Sequence, residues 1–72
     1  MNYSERIRSL REDSDKTQAE IAMVLGITRS QYHLYESGKR EIPVHHLIKL
    51  AKFYNVSLDY LAGLTNVPKR LK

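Results

Sequence analysis

The chain contains no cysteine, so neither disulfides nor thiolate metal ligands can reinforce its core. It has no apolar run near the roughly 18 residues that suggest a membrane-spanning helix. The opening stretch MNYSERIRSL lacks the apolar segment of a secretory signal. Together these absences set the expectation of a soluble cytoplasmic protein with no membrane association. There is also no phosphate-binding glycine loop, no nucleophile elbow and no paired-carboxylate pattern. An enzyme is therefore not expected, nor is a cofactor. Seventy-two residues make one domain, near the lower size at which a hydrophobic core suffices alone, and too small for a deep pocket.

What is present begins with an uneven charge distribution. Residues 1–28 carry four Lys/Arg and five Asp/Glu, a net of −1, whereas residues 29–72 carry eight and three, a net of +5. A basic excess that starts at Arg29 suits a polyanionic partner for that half of the chain.

Helix starts are marked three times. NYSE (Asn2, Glu5), TQAE (Thr17, Glu20) and TRSQ (Thr28, Gln31) each place a capping residue three positions before Glu or Gln. In that spacing two orphan amides of a first turn are satisfied reciprocally, so Thr17 and Thr28 are read as helix caps. Tyr3, Ile7 and Leu10 then give one amphipathic helix that fades at EDSD, and Ile21, Ala22 and Leu25 give a second that Gly26 stops. A third runs from Thr28 to Ser37 and is stopped by Gly38. Pro43 suits the first turn of a fourth, on which Leu47, Leu50, Ala51 and Tyr54 share a face flanked by Val44, Ile48 and Phe53. Asn55 ends it. Ser57 caps a short fifth helix with Asp59 in its first turn and Leu58 and Leu61 turned inward. The spacing predicts an all-α, five-helix orthogonal bundle over residues 1–65, followed by a basic, mobile tail over 66–72.

The third segment, GITRSQYHLYESG, divides by face. At about 100° per residue, Tyr32, Tyr35 and Glu36 lie together, while Ser30, His33, Leu34 and Ser37 point the other way and Arg29 reaches outward from the flank. A solvated face usually holds Glu and Lys, and a groove for a partner helix wants several large apolar residues. Arg, Ser, His and Leu instead fit base edges: Arg can bond guanine bidentately, Ser can give or take one bond, and Leu can touch a thymine methyl. Arg29, Ser30, His33 and Leu34 are therefore the candidate base contacts. Helix, glycine turn and second helix start in TQAEIAMVLGITRSQ follow the helix-turn-helix plan, whose second helix enters the major groove. Gln18, just inside the first of those helices, would sit at the phosphates beside free backbone amides.

At these residues the chain resembles the helix-turn-helix domain shared by the lambdoid phage repressors, Cro and the xenobiotic-response-element regulators. The resemblance runs from about Ile7 to Gly63 and rests on IRSLRE, TQAEIAMVLGI, YESGKREIP and LIKLAKFYNVSLDYLAG, in that order. It implies a lambda-repressor-like fold and a sequence-specific transcriptional regulator. More finely, it implies a repressor that binds double-stranded DNA as a homodimer, placing residues 28–37 on a two-fold symmetric operator. It implies that Gln18 meets a phosphate and braces the first residue of the recognition helix. By the same resemblance, Ser37, Lys39 and Arg40 meet phosphates, Arg11 and Glu36 form a structural ion pair, and the region of Tyr60 contributes to dimer contacts. Two positions depart from the family pattern: Lys16 stands where an apolar residue usually precedes TQ, and Leu34 stands where a longer polar residue is common.

Bland roles compete for some residues. His45 and His46 are adjacent, and neighbours on a helix point about 100° apart, which makes a poor chelate. Both are read as surface histidines, and no metal site is expected. The rival function is an antitoxin-like protein-interaction module holding an unidentified protein partner, since a fold does not fix a function.

Overall fold

The computed structural model describes residues 2–68; Met1 and residues 69–72 of the basic tail lie outside them. Its helices are α1 (Tyr3–Asp13), α2 (Gln18–Leu25), α3 (Arg29–Glu36), α4 (Val44–Tyr54) and α5 (Leu58–Ala62). No strand occurs among the described residues.

Each of the first three helices opens on a complete capping box. The Asn2 side chain accepts from the Glu5 amide at 2.9 Å, and Glu5 accepts in return from the Asn2 amide at 3.4 Å. Thr17 and Glu20 exchange the same bonds at 3.1 and 2.8 Å, and Thr28 and Gln31 at 3.1 and 3.0 Å. Two residues then separate the end of α2 from its successor's cap. Gly26, at φ 72°, takes the left-handed conformation that this turn needs, and no neighbour comes within 4 Å of where a Cβ would lie. Glycine is required there by backbone conformation and not by crowding.

Pro43 sits one position earlier than its sequence suggests. It is the extended N-cap of α4 (φ −62°, ψ 149°), and Val44 is the first helical residue. Its ring pre-sets φ without filling the first turn, and its carbonyl accepts from the amides of His46 and Leu47. At the other end, Asn55 supplies the left-handed cap at φ 58°.

The largest wholly buried side chains come one from every helix: Ile7, Ile21, Tyr32, Leu50 and Leu61. Ile42 and Val56, from the connections on either side of α4, close it. α3 packs on α1 and α2, while α5 bridges α1 and α4. That arrangement leaves one side of α3 uncovered.

One feature corrects the sequence reading. His46 is buried, at 9 % exposure, and only His45 is a surface histidine. The reason is spacing: His46 lies four residues before Leu50, so it shares the face of α4 that meets the core. Its ring stands 6.1 Å from that of Tyr35, joining α4 to α3. Asn66, the first residue of the expected tail, accepts a 3.0 Å hydrogen bond from Arg6. Arg6 is itself buried, with its guanidinium 4.0 Å from the centre of the Tyr60 ring, so α1 and the α5 region are tied by a cation–π contact.

Truncating Leu50 to Ala should lower stability by about 2–5 kcal/mol, the range for deleting a large aliphatic side chain from a filled core. Urea unfolding should show a lower midpoint at unchanged slope. A loss well below that range would mean that the five helices close the cavity by shifting.

Candidate nucleic-acid interface

The uncovered side of α3 is organised from beneath by a buried carboxylate. Glu36, with its side chain only 3 % exposed, receives Arg11 from α1 in a two-pronged bond, Nε to Oε2 at 2.7 Å and Nη2 to Oε1 at 3.1 Å. The Arg11 fork also donates to the Lys16 carbonyl at 2.9 Å, fixing the α1–α2 corner. Lys16 itself is half-buried there. Burial raises the pKa of Glu36, but the donors from Arg11 and Gln18 outweigh it and hold the carboxyl below its ordinary value. The buried phenol of Tyr32 lies close enough to feel this charge, although its hydroxyl meets no partner in hydrogen-bond geometry. Desolvation, together with Glu36, pushes the phenol's pKa up and keeps it neutral.

From Glu36 the network runs outward. Gln18, the first residue of α2, donates through Nε2 to Glu36 Oε1 at 3.0 Å and accepts from Arg29 Nη1 through Oε1 at 3.4 Å. Its Nε2 also lies 3.4 Å from His33 Nδ1. The structure therefore gathers Gln18 and Arg29, which open α2 and α3, and His33, one turn further along α3, into one cluster resting on the Arg11–Glu36 pair.

The remaining predicted residues fall around this cluster. Arg29, Ser30, His33 and Leu34 line a shallow depression of about 400 Å³ along the exposed side of α3. Leu34 is half-buried in it, whereas Arg29, Ser30 and His33 are exposed. Ser37 ends α3, and its hydroxyl donates to the Leu34 carbonyl at 3.1 Å while accepting from the Lys39 amide at 3.4 Å. That hydroxyl proton is engaged internally. Lys39 and Arg40 are exposed in the following loop and are held through backbone bonds to the same Leu34 carbonyl, outside the Gln18 cluster.

Sequence reasoning passed over three residues here. Gln31 lines the depression as well as completing a capping box. Arg8 and Glu12, paired at 3.4 Å on the exposed side of α1, border a second cavity of about 270 Å³ with Gln18, His33 and Ser37. Their i, i+4 spacing was a visible signal for a pair, but nothing in it pointed toward α3.

The fold has known counterparts. The Helix-turn-helix family profile matches residues 7–61. Over 66 residues the chain is 39 % identical to YobD of Bacillus subtilis (strain 168), an uncharacterized HTH-type transcriptional regulator, covering 92 % of this chain and 59 % of that protein. It is 36 % identical over 72 residues to the cryptic phage CTXphi transcriptional repressor RstR of Vibrio cholerae, covering 97 % of this chain and 65 % of that one. The chain thus spans less than two thirds of the length of these curated relatives. Among solved structures it resembles the P22 c2 repressor protein in complex with a synthetic operator, with a TM-score of 0.77 and 28 % identity, over 85 % of this chain and 92 % of that one. No helix among the described residues is long and apolar enough to cross a membrane.

The buried groups set an acid profile. Glu36 has a folded-state pKa below its ordinary 4.5, so its contribution is complete above that value and is lost as pH falls through the depressed one. His46, lowered from 6.5 by burial and then by His45 and Lys49, acts with the same sign but begins at higher pH. Stability should therefore start to decline below about pH 6.5 and fall further below about 4.5. Glu36→Gln should cost about 3 kcal/mol at neutral pH, because it leaves the Arg11 charge poorly compensated. It should also flatten the lower part of the profile while leaving the upper part in place; thermal melts across pH measure both.

Proposed function

The chain belongs to the XRE-type helix-turn-helix family, and from that premise we propose that it is a sequence-specific DNA-binding transcriptional repressor acting in the cytoplasm. α3 enters the major groove with its N-terminal end leading. The observation that carries this reading is the Gln18–Arg29 contact: it aligns the first turns of α2 and α3 on one side, beside the exposed face of α3. The amides of Gln18 and Ala19, which precede the one capped by Thr17, have no acceptor within their own helix and suit a phosphate oxygen next to the Gln18 side chain.

In this reading Gln18, Ser37, Lys39 and Arg40 set the register against phosphates, and Arg29, Ser30, His33 and Leu34 select the sequence. Ser37 takes part by redirecting its hydroxyl from the Leu34 carbonyl. The half-buried Leu34 offers a methyl-sized contact to a thymine and no hydrogen bond. Two copies of the chain bind two similar half-sites of a two-fold symmetric operator, since operator symmetry mirrors dimer symmetry. Repression then follows from occupancy of the site.

Selection from a random duplex pool should return a motif with two-fold symmetry. On that motif Arg29→Ala should cost about 1–3 kcal/mol and relax the preference at one position. Lys39→Ala should weaken selected and random duplexes alike and reduce the salt slope by about 1. If the unaltered chain shows no salt-sensitive binding to any duplex, the reading fails and an interaction module takes its place.

A further inference from the structure

The groups around Gln18 fix the direction of every hydrogen bond they share. Glu36 is a carboxylate and only accepts, so the end of the Gln18 amide lying 3.0 Å from it is the NH2 group. Arg29 only donates, so the end lying 3.4 Å from its guanidinium is the carbonyl. The amide is held in one orientation from both sides by charged groups whose roles do not reverse at neutral pH. One hydrogen of its NH2 group goes to Glu36, and the other faces His33 Nδ1 at 3.4 Å. An NH2 hydrogen can be met only by a lone pair. This contact favours the neutral tautomer whose single proton is on Nε2, across the ring from Gln18.

We propose that His33 is a specificity-determining residue, whose neutral ring is held with its proton on Nε2 by Gln18 and donates from there to an acceptor on a base edge, such as guanine O6 or N7. The proposal rests on the DNA-binding reading and adds a definite chemical polarity to it. Three observations place the ring for this work. His33 is exposed on the uncovered side of α3, it lines the depression shared with Arg29, Ser30 and Leu34, and it borders the cavity on the Gln18 side. Arg29 and His33 would then both be donors aimed by one amide, a pattern that matches the paired acceptors of guanine in the major groove. Gln18 and Glu36 act here as positioning residues: Glu36 orients the amide, and the amide orients the ring.

The test compares His33→Gln, His33→Asn and His33→Ala in the full chain, on the duplex selected by the unaltered protein and on a random duplex. A glutamine amide can place an NH2 near the position of Nε2, whereas an asparagine amide reaches only about as far as Nδ1. His33→Gln should therefore keep selected-site affinity close to that of the unaltered protein. His33→Asn and His33→Ala should lose roughly three- to tenfold on that site, the range for one hydrogen bond, and show little change on random DNA. Equal losses on both duplexes would make His33 a phosphate contact and overturn the proposal, as would equal affinity in all three variants. The side chain is exposed, and matched thermal melts would verify that each variant folds. Nitrogen NMR of the free protein provides a reading without DNA. The ring of His33 should show an unprotonated Nδ1 and a protonated Nε2, with the Nδ1-protonated form increasing in Gln18→Ala. A predominance of the Nδ1-protonated form in the unaltered chain would also overturn the proposal. Failure of the unaltered chain to bind any duplex would count against the DNA-binding reading, whereas failure confined to the His33 variants or the tautomer counts against this inference alone.

Discussion

The polar cluster on the exposed side of α3 depends on one buried carboxylate. Glu36 takes Arg11 from α1 and Gln18 from α2 while belonging to α3, so three helices meet at a single charged group. A buried ion pair is often worth little in net stability, because removing two charges from water costs nearly as much as their attraction returns. Its value here is directional. A bidentate fork and an amide both have fixed geometry, so the pair sets the angle at which α3 leaves the core as well as the distance. Gln18 then carries that order to Arg29 and His33, at the surface.

The hydrophobic core performs the complementary task. A large, wholly buried side chain from each helix ties all five to a common centre, which holds α4 and α5 behind the helix-turn-helix pair. His46 and Tyr35 extend this contact, and Arg6 lying on Tyr60 closes the bundle at the far end of α1. Apolar packing is non-directional and tolerates some sliding between helices. The polar contacts remove that freedom on the side where a groove would be read.

Helix positions were legible in the sequence because their determinants are local. A capping box spans four residues, a left-handed glycine stop spans one, and an apolar stripe repeats within one helix. The division of the third helix into inward Tyr32, Tyr35 and Glu36 and outward Arg29, Ser30 and His33 followed from the same periodicity. Leu34 shows its limit: it points outward by angle, yet it is half-buried among its neighbours on α3. His46 was misplaced for a different reason. An adjacent histidine pair at a helix start reads as a surface feature, whereas the four-residue spacing to Leu50 puts His46 on the core face.

Contacts between distant residues were not legible in this way. Arg11 and Glu36 are 25 positions apart, and only the family resemblance joined them on paper. Arg6 meets Asn66 across 60 positions, and no pattern in the chain announces that contact. Local spacing determined where each helix starts, where it stops and which of its faces is apolar, because those outcomes depend on atoms within one or two turns. Tertiary structure alone decided which polar groups meet at Gln18 and how its amide is turned, because a hydrogen bond's direction is fixed only when the partners on both sides are in place.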